Sequence, residues 1–259
     1  MSRAVLIELT GLSLAAFALR SWWLDRQSFW LDEGFSAGLS TGPLWYIAQQ
    51  SFTREPNPPF YFLLLHLWRL AAGSSEYAIR FLSVLPAVLA TPLLYAIGRR
   101  LGGRRAGLVC MALACVNPYL IWLAQEARMY SWALLWTVLG AYAMLRALAS
   151  GRQTEWALFA AANLLAVYTH LYAVFVVLAE AVYLLLRPRR RKLLSGLTAA
   201  VAPIVLFLPW FISITTFAGE SSTWRGFIGV WDMLHVLGVN FASQDHLPAG
   251  ANSLLALLL

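Results

Sequence analysis

The chain has 259 residues, 60% of them hydrophobic and only 12% charged, with a mean hydropathy of +0.66; one soluble core cannot hide that much apolar surface, so a soluble globular domain is excluded and a bilayer is required. A net charge of +7 suggests nucleic acid in a soluble protein, but here the basic residues sit in short segments between apolar runs, which is membrane topology and excludes a nucleic-acid patch. Cys110 and Cys115 lie five apart in one apolar run, fit neither a redox pair nor a zinc knuckle, and read as buried free thiols.

A crossing helix needs about 20 mostly apolar residues. Runs at 4–24, 77–98, 106–123, 130–148 and 193–214 meet that requirement. For the first run the alternative is a cleaved signal with small residues Ala16 and Ala18; the loop after it lies outside either way. Three basic clusters set the direction: Arg99, Arg100, Arg104 and Arg105; Arg146 and Arg152; and Arg187, Arg189, Arg190, Arg191 and Lys192. The positive-inside rule places all three in the cytoplasm. Parity then makes 155–186 a hairpin of two short helices with an outward tip near His170. Residues 59–72, which carry His66 and Arg69, would put the first cluster outside if they crossed, so they form a helix in the outer interface.

The predicted fold is therefore all-α, a polytopic membrane helix bundle of about seven spans with interfacial helices in a first outer loop at 25–76. Residues 1–214 make the transmembrane module. Residues 215–259 make an outer-side loop and, at 253–259, the start of a further span. Nine of the 12 carboxylates (Asp25, Asp32, Glu33, Glu55, Glu76, Glu126, Glu220, Asp232 and Asp245) fall on the outer side, which is where chemistry is expected. Glu8 and Glu180 look deep and have no assigned role.

The first outer loop opens Trp30-Leu31-Asp32-Glu33-Gly34. Neighbours on a helix point about 100° apart, so only one of the two acids can aim at a given reacting atom. The pair reads as one catalytic carboxylate, able to act as general base for a hydroxyl, with one supporting group; the alternative is two solvated charges at a helix start. In Glu55-Pro56-Asn57-Pro58-Pro59-Phe60-Tyr61 the prolines hold the chain extended and the last opens a helix, giving a junction or a wall over a site that Asn57 faces. Arg80, just inside the second span, either binds phosphate or packs on Glu76.

The turn Gln125-Glu126-Ala127-Arg128-Met129-Tyr130 puts an acid and a base at membrane depth, where ionisable residues mark function. Arg128 can fork onto a phosphate, and Glu126 can orient it or ligate a hard divalent cation; a structural salt bridge is the alternative. The hairpin tip, Tyr168-Thr169-His170-Leu171-Tyr172, offers His170 and Tyr168 to phosphate or to an acceptor hydroxyl, or serves structure alone. Trp22, Trp23, Trp30, Trp45, Tyr119, Trp122 and Trp132 form the aromatic collar expected of any membrane protein, with sugar stacking by one ring as a second reading.

Together with Glu76-Tyr77-Ala78-Ile79-Arg80-Phe81, Gly98-Arg99-Arg100-Leu101, Arg104-Arg105-Ala106-Gly107 and Asn117-Pro118, these segments are specific in order and spacing though not singly. Over residues 5–190 the chain resembles the C-type glycosyltransferase superfamily, and within it the bacterial relatives of family 39 protein O-mannosyltransferases and of the aminoarabinose transferase that modifies lipid A. The resemblance implies an inverting glycosyltransferase of the cytoplasmic membrane with its site on the outer face. It implies a polyprenyl-phosphate sugar as donor, a glycan, lipid or protein as acceptor, Asp32 as base, and Arg128 and Arg80 on the phosphate. Some relatives use a divalent metal and others do not; Asp32 and Glu126 are the ligands expected here for Mg or Mn where one is bound. Two rivals stand beside it. A transporter or flippase of a lipid-linked substrate predicts charge at mid-depth, and an inactive scaffold predicts that Asp32, Glu126 and Arg128 do not converge.

Overall fold

The computed structural model describes residues 3–186 and 190–217, and its regular elements there are all α-helices. Arg187, Arg189, the side chains of Arg190, Arg191 and Lys192, and everything from 218 onward, including Glu220, Asp232, Asp245 and the run at 253–259, lie outside the described residues.

Among the described residues three helices are long and apolar enough to cross a membrane: α5 (Glu76–Val116), α7 (Tyr130–Ser150) and, within α10 (Arg190–Phe217), the stretch Leu194–Thr216. Helix α5 is two arms. Gly103, with φ 81° and ψ −174°, takes a conformation closed to L side chains, and the chain reverses there. The arms then meet closely enough that a Cβ on Gly107 would lie 2.7 Å from the Tyr95 carbonyl oxygen. The expected runs at 77–98 and 106–123 correspond to these arms, with one correction: the second stops at Val116. Asn117 begins a separate helix, α6 (Pro118–Gln125), by accepting a hydrogen bond from the Leu120 amide at 2.9 Å, with Pro118 in its first turn.

Helix α1 (Arg3–Ser21) is clamped to the second arm at both ends. Arg20, only 1% exposed, donates to the Ala114 and Cys115 carbonyls at 2.7 and 3.0 Å, satisfying acceptors that the end of a helix leaves open. At the other end Arg104 holds both oxygens of Glu8, at 2.6 and 2.7 Å. Glu8 is thus not deep but sits at the basic end of the bundle. Cys115 is buried, whereas Cys110 is exposed, which corrects the expectation for that thiol.

The guanidinium groups of Arg100 and Arg146 both lie over the ring of Tyr142, so the first two basic clusters share one end, as parity requires. Arg146 also pairs with Glu155 across the start of α8 (Gln153–Thr169). At the opposite end α8 turns at residues 170–172 into α9 (Ala173–Leu185). Between them the Asn163 amide donates to Glu180 at 2.7 Å, which gives that buried acid a partner within the hairpin.

The first loop folds as α2 (Leu31–Leu39), α3 (Leu44–Thr53) and α4 (Phe60–Ala72). Helix α4 buries Tyr61, Phe62 and Leu65 against Ile79 and Leu82 of α5 and against Ala127 and Met129, while Leu67 and Leu70 face outward. That one-sided burial fits a helix lying on the bundle. The Trp210 indole of α10 donates to the Ser51 carbonyl at 2.7 Å, anchoring α3.

Candidate functional site

Helix α2 separates its two acids as its geometry demands. Glu33 turns inward and is 1% exposed, whereas the side chain of Asp32 is 42% exposed. Glu33 is held by the fork of Arg80, Nε to Oε1 at 2.8 Å and Nη2 to Oε2 at 2.7 Å, and by the Ala127 amide at 2.8 Å. The remaining Arg80 donors reach the carbonyls of Leu24 (2.6 Å), Gln27 (2.7 Å) and Ser28 (3.4 Å). Arg80 is thereby committed to protein acceptors. Expected on a phosphate, it instead ties α5 to α2 and to the chain that leads into it.

Arg128 lies on the Asp32 side. Its Nη1 donates to the Asp32 carbonyl at 3.2 Å and to Ser36 Oγ at 3.1 Å, and Nη2 is 3.6 Å from Asp32 Oδ2. Its own carbonyl accepts from Ser83 at 3.1 Å, which fixes the turn to α5. The guanidinium is buried, and its Nε has no partner. Asp32 and Ser36 orient Arg128; Glu126 does not, contrary to one of its two expected roles.

Glu126 nevertheless lies in the same field. Burial, and then the charge of Glu33, push its carboxyl up to about 7, against the pull of Arg128; its buried Oε2 has no partner. Glu55 belongs here too. It is buried, accepts from the Asn57 side chain, and is raised by desolvation while facing both Arg128 and Asp32. Asn57 therefore meets the site through Glu55. Glu55 was legible only as the acid that opens the proline-rich approach.

His170 stands at the hairpin tip, 5.6 Å from the ring of Tyr130. Burial, then Arg128, bring its imidazole down to about 4, so at neutral pH it is uncharged. Its Nδ1 accepts from the Tyr172 amide at 3.2 Å, which leaves the proton on Nε2 as a donor. Tyr168 departs from expectation: its hydroxyl donates to the Leu206 carbonyl at 2.8 Å and its ring packs edge-on to Phe207, so it serves the contact with α10.

The site thus joins Asp32, Arg128, Glu55, Glu126 and His170 at the end of the bundle opposite the basic clusters, with Glu33 and Arg80 behind them. Among the described residues no three His, Cys, Asp or Glu side chains gather as a metal site. Of the two acids expected to hold Mg or Mn, Asp32 already faces the Arg128 guanidinium, with Nη2 3.6 Å from Oδ2.

Residues 56–229 match the family described as dolichyl-phosphate-mannose-protein mannosyltransferase. No curated protein sequence matches the chain. Solved structures similar in fold include the following two. One is the S. cerevisiae protein O-mannosyltransferase Pmt1-Pmt2 complex bound to the sugar donor (TM-score 0.65, 14% identity, 96% of this chain and 38% of that one). The other is the archaeal oligosaccharyltransferase AglB from Archaeoglobus fulgidus in complex with an inhibitory peptide and a dolichol-phosphate (TM-score 0.60, 14% identity, 98% and 36%). The chain spans less than two-fifths of the length of either.

Proposed function

We propose a reaction from one premise: the chain belongs to the dolichyl-phosphate-mannose-protein mannosyltransferase family, whose C-type membrane glycosyltransferase fold it shares. The reaction is transfer of a sugar from a polyprenyl-phosphate donor to a hydroxyl acceptor, at the outer face of the cytoplasmic membrane. The observation that carries it is a half-exposed Asp32 carboxylate beside a buried Arg128 that still has an unsatisfied donor, at the end of the bundle away from the basic clusters. The transporter reading has less support, since Glu8 lies at the basic end and Glu180 is engaged by Asn163.

In the proposed step the Asp32 carboxylate takes the acceptor proton as the acceptor oxygen bonds to the anomeric carbon. The bond from that carbon to the phosphate oxygen breaks, its electron pair leaves with the lipid phosphate, and the configuration inverts. The leaving phosphate gains a negative charge as the bond breaks. A cation fixed beside it therefore stabilises the transition state more than the bound donor, which is what accelerates a reaction. The geometry supports Arg128 for that role and neutral His170 as a hydrogen-bond donor to phosphate or acceptor. No step is routed through a metal.

The direct test is the purified protein in proteoliposomes with a panel of radiolabelled polyprenyl-phosphate sugars. At least one donor is expected to be consumed with label moving to an added acceptor extract. Arg128→Lys keeps the charge but loses the planar fork, and is expected to lower kcat/KM by about 10- to 100-fold. Consumption of no donor, or an unchanged Arg128→Lys, overturns the assignment.

Glu126 adds a pH dependence. Folded, it holds its proton until about 7, against an ordinary value of 4.5. Its contribution to stability is therefore greatest below that window and declines as pH rises through it. Above about 7 it also becomes an anion next to Arg128, so donor KM should rise with pH across neutrality. Glu126→Gln is expected to flatten that rise in steady-state assays between pH 6 and about 8.

A further inference from the structure

The Glu33–Arg80 pair has a second face. Away from Asp32 it floors a cavity of about 390 Å³ walled by Trp23, Arg26, Gln27, Trp30, Trp122 and Gln125, a volume within the range of small-molecule sites. Glu126 also borders this space, while Asp32, Arg128, Glu55 and His170 do not.

Its three indoles remain well exposed: Trp23 at 60%, Trp30 at 45% and Trp122 at 43%. Trp23 is held there against backbone preference. Among the described residues it is the one non-glycine with positive φ, 56°, a left-handed conformation that L residues disfavour. The surroundings enforce it. Gln125 donates to the Leu19 and Trp22 carbonyls at 3.3 and 3.0 Å, fixing the chain just before Trp23, and the Arg26 guanidinium lies 4.7 Å over the Trp23 ring. A membrane aromatic belt turns its rings toward lipid headgroups. These rings instead border a hollow whose floor is a satisfied ion pair and whose rim carries amide and guanidinium groups.

Aromatic faces beside amide and guanidinium donors suit a pyranose ring, which has apolar C–H faces and hydroxyls around its edge. We propose that this cavity is a saccharide-binding site, distinct from the Asp32 site, that holds a non-reacting sugar ring of a glycan acceptor. The acceptor assignment rests on the transferase reading; the saccharide assignment does not. Glu126 lines the cavity and also lies in the field of Asp32 and Arg128, so the two sites meet at Glu126, and a glycan held in the cavity can extend its next hydroxyl past Glu126 toward Asp32.

The test is a titration of the whole protein in detergent with methyl mannoside, methyl glucoside, N-acetylglucosamine and their disaccharides, read by tryptophan fluorescence and by saturation-transfer NMR. Saturable binding of at least one sugar is expected. It should weaken about tenfold or more in Trp122→Ala and in Trp23→Gly. The glycine variant removes the ring while easing the backbone, so loss of fold is not expected to confuse it, and unfolding midpoints check this. Asp32→Asn should bind the sugar normally. Absence of saturable binding, binding that survives both tryptophan variants, or binding lost in Asp32→Asn overturns the site. So does protection of the indoles by phosphatidylglycerol vesicles without protection by sugars, which marks a lipid headgroup pocket instead. Sugar binding as predicted, with no donor turnover in proteoliposomes, overturns the acceptor assignment and the transferase reading but leaves the cavity a saccharide site.

Discussion

Asp32→Asn is expected to lower sugar transfer by about 10²–10⁴-fold, the usual effect of removing a positioned general base, while the polyprenyl-phosphate donor still binds. The amide keeps the size of the carboxylate but cannot accept the acceptor proton. It also removes the negative partner that Arg128 now has 3.6 Å away. Arg128 keeps its contacts to the Asp32 carbonyl and to Ser36, so the guanidinium should stay in place and be more available to a phosphate. Donor affinity should therefore hold or improve while turnover collapses. A general decline of both would indicate a structural role for Asp32, and transfer within about tenfold of the parent would remove Asp32 as the base. Radiolabel transfer and donor binding measured on the same proteoliposomes separate these outcomes.

The separation of Asp32 from Glu33 was legible in the sequence because it follows from helix geometry alone. Residues 59–72 and the turn at His170 were legible for a similar reason: run length and the parity of basic clusters decide them without any knowledge of packing. What packing decides was not legible. Arg80 lies one turn inside a span, where either a phosphate or a protein acid can claim it, and the rotation of α5 about its axis settles that in favour of Glu33. Arg20, near the end of the first apolar run, drew no reading from the sequence because nothing local marks it, yet it is buried on the α5 carbonyls. Asn117-Pro118 was visible as a motif, but hydropathy runs smoothly through it, and only capping geometry divides α5 from α6. Glu55 is far from Asp32 in the chain and enters the site because α3 is tied down by Trp210 of α10, a contact no local pattern encodes.

The Glu33–Arg80 pair carries the second large prediction. Their side chains are 2% and 7% exposed, and breaking a buried pair from one side leaves an uncompensated charge, at about 3–5 kcal/mol. Arg80→Met is expected to fall in that range by thermal unfolding in detergent, because Glu33 would keep only its bonds from the Ala127 and Trp30 amides and the Leu24 and Gln27 carbonyls would lose their donor. Glu33→Gln should be milder, since an amide can still accept from Arg80. The double variant Glu33→Met with Arg80→Met removes both charges and should recover part of the loss, giving a favourable coupling of more than about 1 kcal/mol in a double-mutant cycle. Activity should not return with stability. The pair also sets the position of the first turn of α2 relative to the turn at Ala127, and so the distance from Asp32 to Arg128. A refolded but slow double variant would show that the charges hold the catalytic groups in register. Full activity in that variant would mean that α2 is positioned by the α4 contacts alone, and the pair would then be a matter of stability only.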